Sequence, residues 1–126
     1  MAKAAFGATH LLSHREYLKN AVTDGYESAG AWYDSDVEMM TEEMVYGGKE
    51  FKNVTAGTHV PSNYTIDHSQ LPLFALDRSK ICNRAHWWLR DVVSATAFAY
   101  VYSNGNCFHY SASNASIGVR PAFAIC

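Results

Sequence analysis

The stretch from Ala97 to Ser111 constrains this chain more than any other. Ala97 to Tyr102 alternates without a break: Phe98, Tyr100 and Tyr102 fall on one side of an extended chain, and Ala97, Ala99 and Val101 on the other. A helix would scatter both sets around its circumference, so the segment is a strand with a small-residue face and an aromatic face. Ser103-Asn104-Gly105 follows as a tight turn of hairpin type, and Asn106 to Ser111 is the returning strand. The alternation predicts Ala97, Ala99 and Val101 in the core and Tyr100 and Tyr102 in solvent. Trp87 to Val92 reads as a further strand, with Trp88 a buried anchor. Gly118 to Ile125 reads as a last apolar strand whose pairing Gly118 and Pro121 limit.

The first third carries helix signals. Ser13-His-Arg-Glu16 has the spacing of a capping box, with Leu12 and Tyr17 placed as a hydrophobic staple, and predicts a helix that stops near Gly25. Ser35-Asp-Val-Glu38 repeats the box. Val37, Met40 and Met44 follow on one helical face, and Gly47 is the natural stop. Gly30 to Asp34 reads as a loop that folds Trp32 and Tyr33 back on the core. The middle, Gly48 to Asp67, is polar and turn-rich, with a strand-like piece at Tyr64 to Ile66. Leu71 to Leu76 is an apolar run that reads as buried, and Pro72 argues against a central strand. Two helices followed by antiparallel hairpins make an α+β class, in one domain over residues 1–126.

Composition narrows the function classes. Hydrophobic residues make up 48% of the 126 and charged residues 17%, enough for a packed core and too apolar for a disordered chain. The formal net charge of -2 provides no basic stripe, so no nucleic-acid partner is expected. No apolar run is long enough to expect membrane insertion, and the apolar stretch before His10 is too short for a signal peptide. Cys82, Cys107 and Cys126 are an odd number, which builds no disulfide framework and reads as buried or reduced thiols.

Several strings carry a resemblance. Trp88-Leu-Arg-Asp91, Phe98-Ala-Tyr-Val101, Asn104-Gly105 and Gly118-Val-Arg-Pro-Ala122 resemble a large family of unknown-function domains in gut Firmicutes and their phages. His10-Leu-Leu-Ser13, Met44-Val-Tyr-Gly47, Tyr64-Thr-Ile-Asp67 and Leu71-Pro-Leu-Phe74 look like the phage members. That family looks like the C-type-lectin-like fold, which variable proteins of diversity-generating retroelements also use. The resemblance implies two N-terminal helices with a C-terminal sheet of hairpins. It also implies the C-terminal part of a longer phage structural protein, made in the bacterial host cytoplasm and displayed on the virion. Its expected partners are a host-surface protein or glycan and other virion proteins, and a homo-oligomer is possible. In such proteins mutated adenines in Asn codons reach Tyr, Ser, Asn, His, Cys, Phe, Asp, Gly and Ala, but not Lys, Glu, Gln, Met or Trp. From Asp91 to Ile117 this chain has none of those five. The resemblance thus implies a hypervariable surface within residues 98–116.

The ligand-binding residues expected there are Tyr100, Tyr102, Asn104, Asn106, Phe108, His109, Tyr110, Ser111, Ser113 and Asn114, with His86 beside them. Tyr supplies a rigid face and one hydroxyl, and Ser and Asn supply adaptable hydrogen bonds, the mixture antibody loops use. The plainer reading is a Tyr/Ser/Asn-rich hairpin of no special origin. Two alternatives stand beside the display domain: a fixed virion decoration or assembly module, and a zinc-dependent enzyme. Cys82, His86, Cys107 and His109 permit a zinc site, but their spacing matches no common finger, so neither metal nor cofactor is expected. Asp36, Glu38, Glu42 and Glu43 read as a solvated helix face rather than an acid–base pair, and no catalytic motif occurs, so the expectation is a binding domain and not an enzyme. Arg120 in the apolar last strand is expected to pair with Asp91 first and Asp36 second.

Overall fold

The computed structural model describes residues 10–18, 22–23, 26–27, 31–48 and 69–125. Among these the chain is mostly β-structure. The first six strands are β1 (Leu11–Leu12), β2 (His14–Leu18), β3 (Val22–Thr23), β4 (Tyr26–Glu27), β5 (Ala31–Ser35) and β6 (Glu38–Met39). Two short helices, α1 (Glu42–Tyr46) and α2 (Pro72–Leu76), precede β7 (Trp87–Ser94), β8 (Ala97–Val101) and β9 (Cys107–Ser111). The chain closes with β10 (Gly118–Val119), β11 (Pro121–Ala122) and β12 (Ala124–Ile125). No helix among the described residues is long and apolar enough to cross a membrane.

This architecture overturns the α+β reading with two N-terminal helices, and the C-type-lectin-like fold with it. β2 lies antiparallel to β5, with His14 opposite Ser35 and Leu18 opposite Ala31. β3 lies antiparallel to β4. Trp32 and Tyr33, expected in a loop, are strand residues of β5. The reason lies far along the chain. On a strand His14 and Glu16 share a face, and Glu16 is carried fully into the interior, where its Oε2 meets Arg90 Nη2 at 3.1 Å. A helix cap is worth about 1 kcal/mol. Leaving a buried partner such as Arg90 without its carboxylate costs about 3–5 kcal/mol, so the long-range pair outweighs the local signal. The second box yields in the same way: the Ser35 hydroxyl donates to the Val37 carbonyl at 2.8 Å, and Glu38 lies on β6.

The second helix begins later than expected. Thr41 caps α1 by accepting from the Met44 N–H at 3.2 Å, and Met40 and Met44 are buried while Val37 is exposed. Gly47 ends α1 as expected: its φ is 77°, and its N–H donates to the Glu43 carbonyl at 2.9 Å. Of the run Leu71 to Leu76, expected as buried, Pro72 to Leu76 form α2, with Pro72 in its first turn. Only Phe74 of that helix is buried, and Leu76 is 88% exposed. The expected stop at Gly25, the strand-like piece at Tyr64 to Ile66 and the rest of the turn-rich middle up to Asp67 lie outside the described residues, Gly48 excepted.

The largest sheet has four strands in the order β10-β7-β8-β9, with β10 parallel to β7 and the other neighbours antiparallel. Trp87, Leu89, Ala99 and Val101 face a core completed by Met40, Met44, Val45, Phe74 and Ile81. Helices of five residues are too short to persist alone, so α1 and α2 stand on the burial of Val45 and Phe74. The anchor on β7 is Trp87, which is buried and stacks on Phe74 with ring centroids 6.4 Å apart; Trp88, the expected anchor, is only partly buried. The β8–β9 turn closes on a left-handed glycine: the Gly105 N–H donates to the Tyr102 carbonyl at 2.8 Å, and Gly105 has φ 88°.

β7 does not pair evenly with β8. Trp88 faces Tyr100, but the next partners are Val92 and Phe98, so β7 carries two extra residues in a bulge. The bulge re-aims its side chains. The Arg90 N–H donates to the Met40 carbonyl at 2.9 Å, and its guanidinium reaches the carboxylates of Glu16 and Glu38. Asp91 Oδ2 accepts from the Glu42 N–H at 2.6 Å, at the start of α1. Asp91 therefore serves α1 and not Arg120. The Arg120 Nη1 donates to the Lys80 carbonyl at 2.7 Å, and its guanidinium lies over the rings of Phe74 and Trp87, 5.2 and 5.1 Å from their centroids.

The expected last strand is broken into three short pieces with three different partners. β10 pairs with β7, β11 with β6 and β12 with β1. Eight residues thus tie the four-stranded sheet to both the α1 side and the N-terminal strand. Replacing Arg90 by Ala should lower unfolding free energy by about 3–5 kcal/mol, because Glu16 and Glu38 stay buried without their cation. Arg15→Ala, which removes an exposed guanidinium 5.7 Å from the Trp32 ring, should cost less than about 1 kcal/mol. Urea unfolding of both variants checks the contrast. Gly105→Ala should cost about 1–2 kcal/mol, since the residue must hold a left-handed φ and its new Cβ would lie 3.2 Å from Cys82 Cβ. Gly48→Ala, with nothing within 4 Å of the added atom, should melt like the parent.

Candidate functional site

The outer face of the four-stranded sheet is built from rings. Alternation on β8 turns Ala97, Ala99 and Val101 inward, all buried as the pattern requires, and sends Tyr100 to the other side. The register sets Phe108 opposite Tyr100 and Tyr110 opposite Phe98. Tyr100 is the hub. Its ring centroid lies 5.7 Å from His86, 5.9 Å from Trp88, 6.3 Å from Tyr102, 6.5 Å from Phe108 and 6.4 Å from Tyr110. The Trp88, Tyr102 and Tyr110 pairs are edge-on, a favoured geometry for ring quadrupoles. His86 also packs on Tyr102 at 4.5 Å, and Tyr102 on Phe108 at 5.6 Å.

This crowding corrects the expectation for Tyr100. It is only 6% exposed, because rings surround it on the sheet's outer face. Burial raises its hydroxyl pKa above the ordinary value of 10.0, helped by Tyr102 and Tyr110. The rings presented to solvent are Tyr102, Phe108 and Tyr110, at 37%, 48% and 50% exposure. The structure therefore brings together His86, Tyr100, Tyr102, Phe108 and Tyr110, and adds Trp88, expected from the sequence as a buried anchor.

The other expected site residues lie elsewhere. His109 is exposed, but it alternates with Phe108 and Tyr110, pairs with Ala99 and so sits on the opposite face of β9. Ser111 shares that side, and its hydroxyl meets that of Ser113 at 2.9 Å. Asn104 and Asn114 are turn builders: Asn104 Oδ1 accepts from the Asn106 N–H at 3.0 Å, and Asn114 Oδ1 accepts from the Ser116 N–H at 2.9 Å. Asn106 is exposed in the same turn, and its carbonyl accepts from the Tyr102 N–H at 2.8 Å. Three of the four residues that permitted a zinc site have other engagements. Cys82 Sγ contacts the Ser103 carbonyl at 3.3 Å, Cys107 Sγ contacts Glu42 Oε1 at 3.0 Å, and His86 is stacked among the tyrosines.

A second feature escaped sequence reasoning. On the core side of the fold, a cavity of about 600 Å³ has walls that include Met40, Met44, Leu71, Phe74 and Phe123. His14, Glu16 and Glu38 also line it. His14 Nε2 lies 2.6 Å from Glu38 Oε1 and 3.2 Å from Glu16 Oε1. Arg90 and the Tyr33 hydroxyl engage Glu38 Oε2, the latter at 3.1 Å. Burial alone would lower the His14 pKa, but the hydrogen bonds to Glu38 and Leu12 and the two carboxylate charges together raise it above 6.5. The signal in the sequence was the i, i+2 spacing of His14 and Glu16, which puts both on one side of a strand. It was hidden by the capping box that ends on the same glutamate.

A family profile matches residues 10–126, which is nearly the whole chain. No curated protein and no solved structure matches it. By that match the chain belongs to the family described as domain of unknown function DUF6273.

Proposed function

We propose that this protein is a binding module that recognises its ligand through the aromatic face of the four-stranded sheet. The observation that carries the reading is the cluster of Tyr102, Phe108 and Tyr110, exposed together on a rigid base of Tyr100, Trp88 and His86. Contiguous exposed aromatic surface marks an interaction site. Rings already packed against one another lose little side-chain freedom on binding, so more of the contact energy survives as affinity. The role is binding, not catalysis. The resemblance to phage domains, and the lack of Lys, Glu, Gln, Met and Trp from Asp91 to Ile117, support a setting on the virion. The partner in that setting is a host-surface protein or glycan.

Changing Tyr102, Phe108 and Tyr110 together to Ser should leave a folded domain, because exposed positions typically contribute about half a kcal/mol or less each. Tyr100→Ala should cost about 3 kcal/mol or more, as a buried aromatic truncation does. Thermal melts of the two variants must therefore separate. On a glycan array and on bacterial cells, the triple variant should lose the parent's signal, since a few aromatic anchors dominate an interface. A triple variant that binds like the parent would remove this face from the function.

A further inference from the structure

We infer that His14, Glu16 and Glu38 form a binding site for one first-row transition-metal dication, such as Zn2+, with an open coordination position facing the cavity. The donor atoms are His14 Nε2, Glu16 Oε1 and Glu38 Oε1, all within 4.8 Å of one another. Both carboxylates are buried, their side chains 0% and 6% exposed, so they are not the solvated acidic groups common on surfaces.

The surroundings orient each donor. Arg90 Nη2 holds Glu16 Oε2 at 3.1 Å, and Arg90 Nη1 and the Tyr33 hydroxyl hold Glu38 Oε2. Those bonds occupy the Oε2 atoms and turn both Oε1 atoms toward His14. On the ring's other side, His14 Nδ1 lies 3.4 Å from the Leu12 carbonyl. A carbonyl only accepts, so Nδ1–H serves that contact and Nε2 is the nitrogen left to face the two carboxylate oxygens. A proton on Nε2 can bridge the ring to these carboxylates, and a dication that displaces it meets three donors already gathered. An outer shell that grips the far atom of each ligand is how metal sites fix imidazole and carboxylate donors.

Distances fit an ion of this class. Bonds of about 2.0–2.2 Å to nitrogen and oxygen put tetrahedral donors roughly 3.4 Å apart. Glu16 Oε1, 3.2 Å from Nε2, is already at that spacing, and Glu38 Oε1, at 2.6 Å, must withdraw by less than about an ångström. An imidazole donor favours Zn2+ and its neighbours over Mg2+ or Ca2+, which prefer oxygen alone. The net charge of two glutamates and Arg90 is -1, which a dication complements. The cavity provides the route in and leaves the fourth position to water or a small oxygen donor. This site stands apart from the zinc set considered from sequence, and it does not depend on the aromatic face.

The test uses the full chain, stripped with a chelator and titrated with Zn2+ by calorimetry and with Co2+ by visible absorption. The expected result is one ion per chain and a Co2+ spectrum without a thiolate charge-transfer band. His14→Ala leaves the Arg90 pairs intact, so it should keep the parent's far-ultraviolet circular dichroism and bind at least about a hundredfold more weakly. The double variant Cys82→Ser/Cys107→Ser should bind like the parent. A folded parent that takes up no ion overturns the inference. So does a His14→Ala variant of undiminished affinity, or loss of binding in the cysteine double variant with a thiolate band in the parent.

Discussion

The ion pairs of Arg90 organise this structure. The guanidinium joins Glu16 on β2 and Glu38 on β6 from a bulge in β7, across 74 and 52 residues of chain. All three side chains are buried, so each charge has lost most of its hydration, and the mutual attraction offsets that loss only while all three are in place. Net stabilisation from such a group is small against well-packed apolar side chains. Its strength is in selection: any register of β2 or β6 that moved a glutamate out of reach would leave a charge stranded in the core. The N-terminal strands are thereby held against the C-terminal half.

The bulge that aims Arg90 has a second consequence. It frees Asp91 to bind the start of α1, while Trp87 and Leu89 still face the core. One strand therefore serves three partners at once: the glutamates, the helix and the apolar interior. The C-terminal segment repeats this economy in another form. Its β10, β11 and β12 add to β7, β6 and β1 in turn, so the last described residues close the structure that the first ones begin. The cavity lies where these ties meet, with His14, Glu38 and Ala122 on its wall.

The two faces of the four-stranded sheet differ by composition, and the difference assigns their roles. The inner face pairs the small residues Ala99 and Val101 with Phe74 and Trp87, which lets the helices approach closely. The outer face presents the aromatic side chains of β8 and β9. Rings cover each other there, and this explains why Tyr100 is buried although it points away from the core. Tyr102, Phe108 and Tyr110 are the rings of that cluster exposed to a partner.

Several elements were legible in the sequence because their signals are local. Alternation from Ala97 to Tyr102, the Ser103-Asn-Gly105 turn and the Gly47 helix stop depend on neighbours within a few residues, and the structure keeps them all. Single-strand periodicity could separate the two sides of β8, but not say how deeply a ring on the outer side would be packed. The capping boxes at Ser13 and Ser35 were also local signals, and they misled. Each ends on a glutamate whose decisive partner, Arg90, is more than fifty residues away. The sequence by itself determined the hairpin, its turn and the aromatic stock of its outer face, because side-chain alternation and backbone sterics act at short range. Only the tertiary structure decided that the first third is sheet, that Arg120 lies over aromatic rings instead of pairing with Asp91, and that His14, Glu16 and Glu38 meet. Those outcomes rest on which charges and rings are desolvated together, a property of the folded interior that no window of the chain contains.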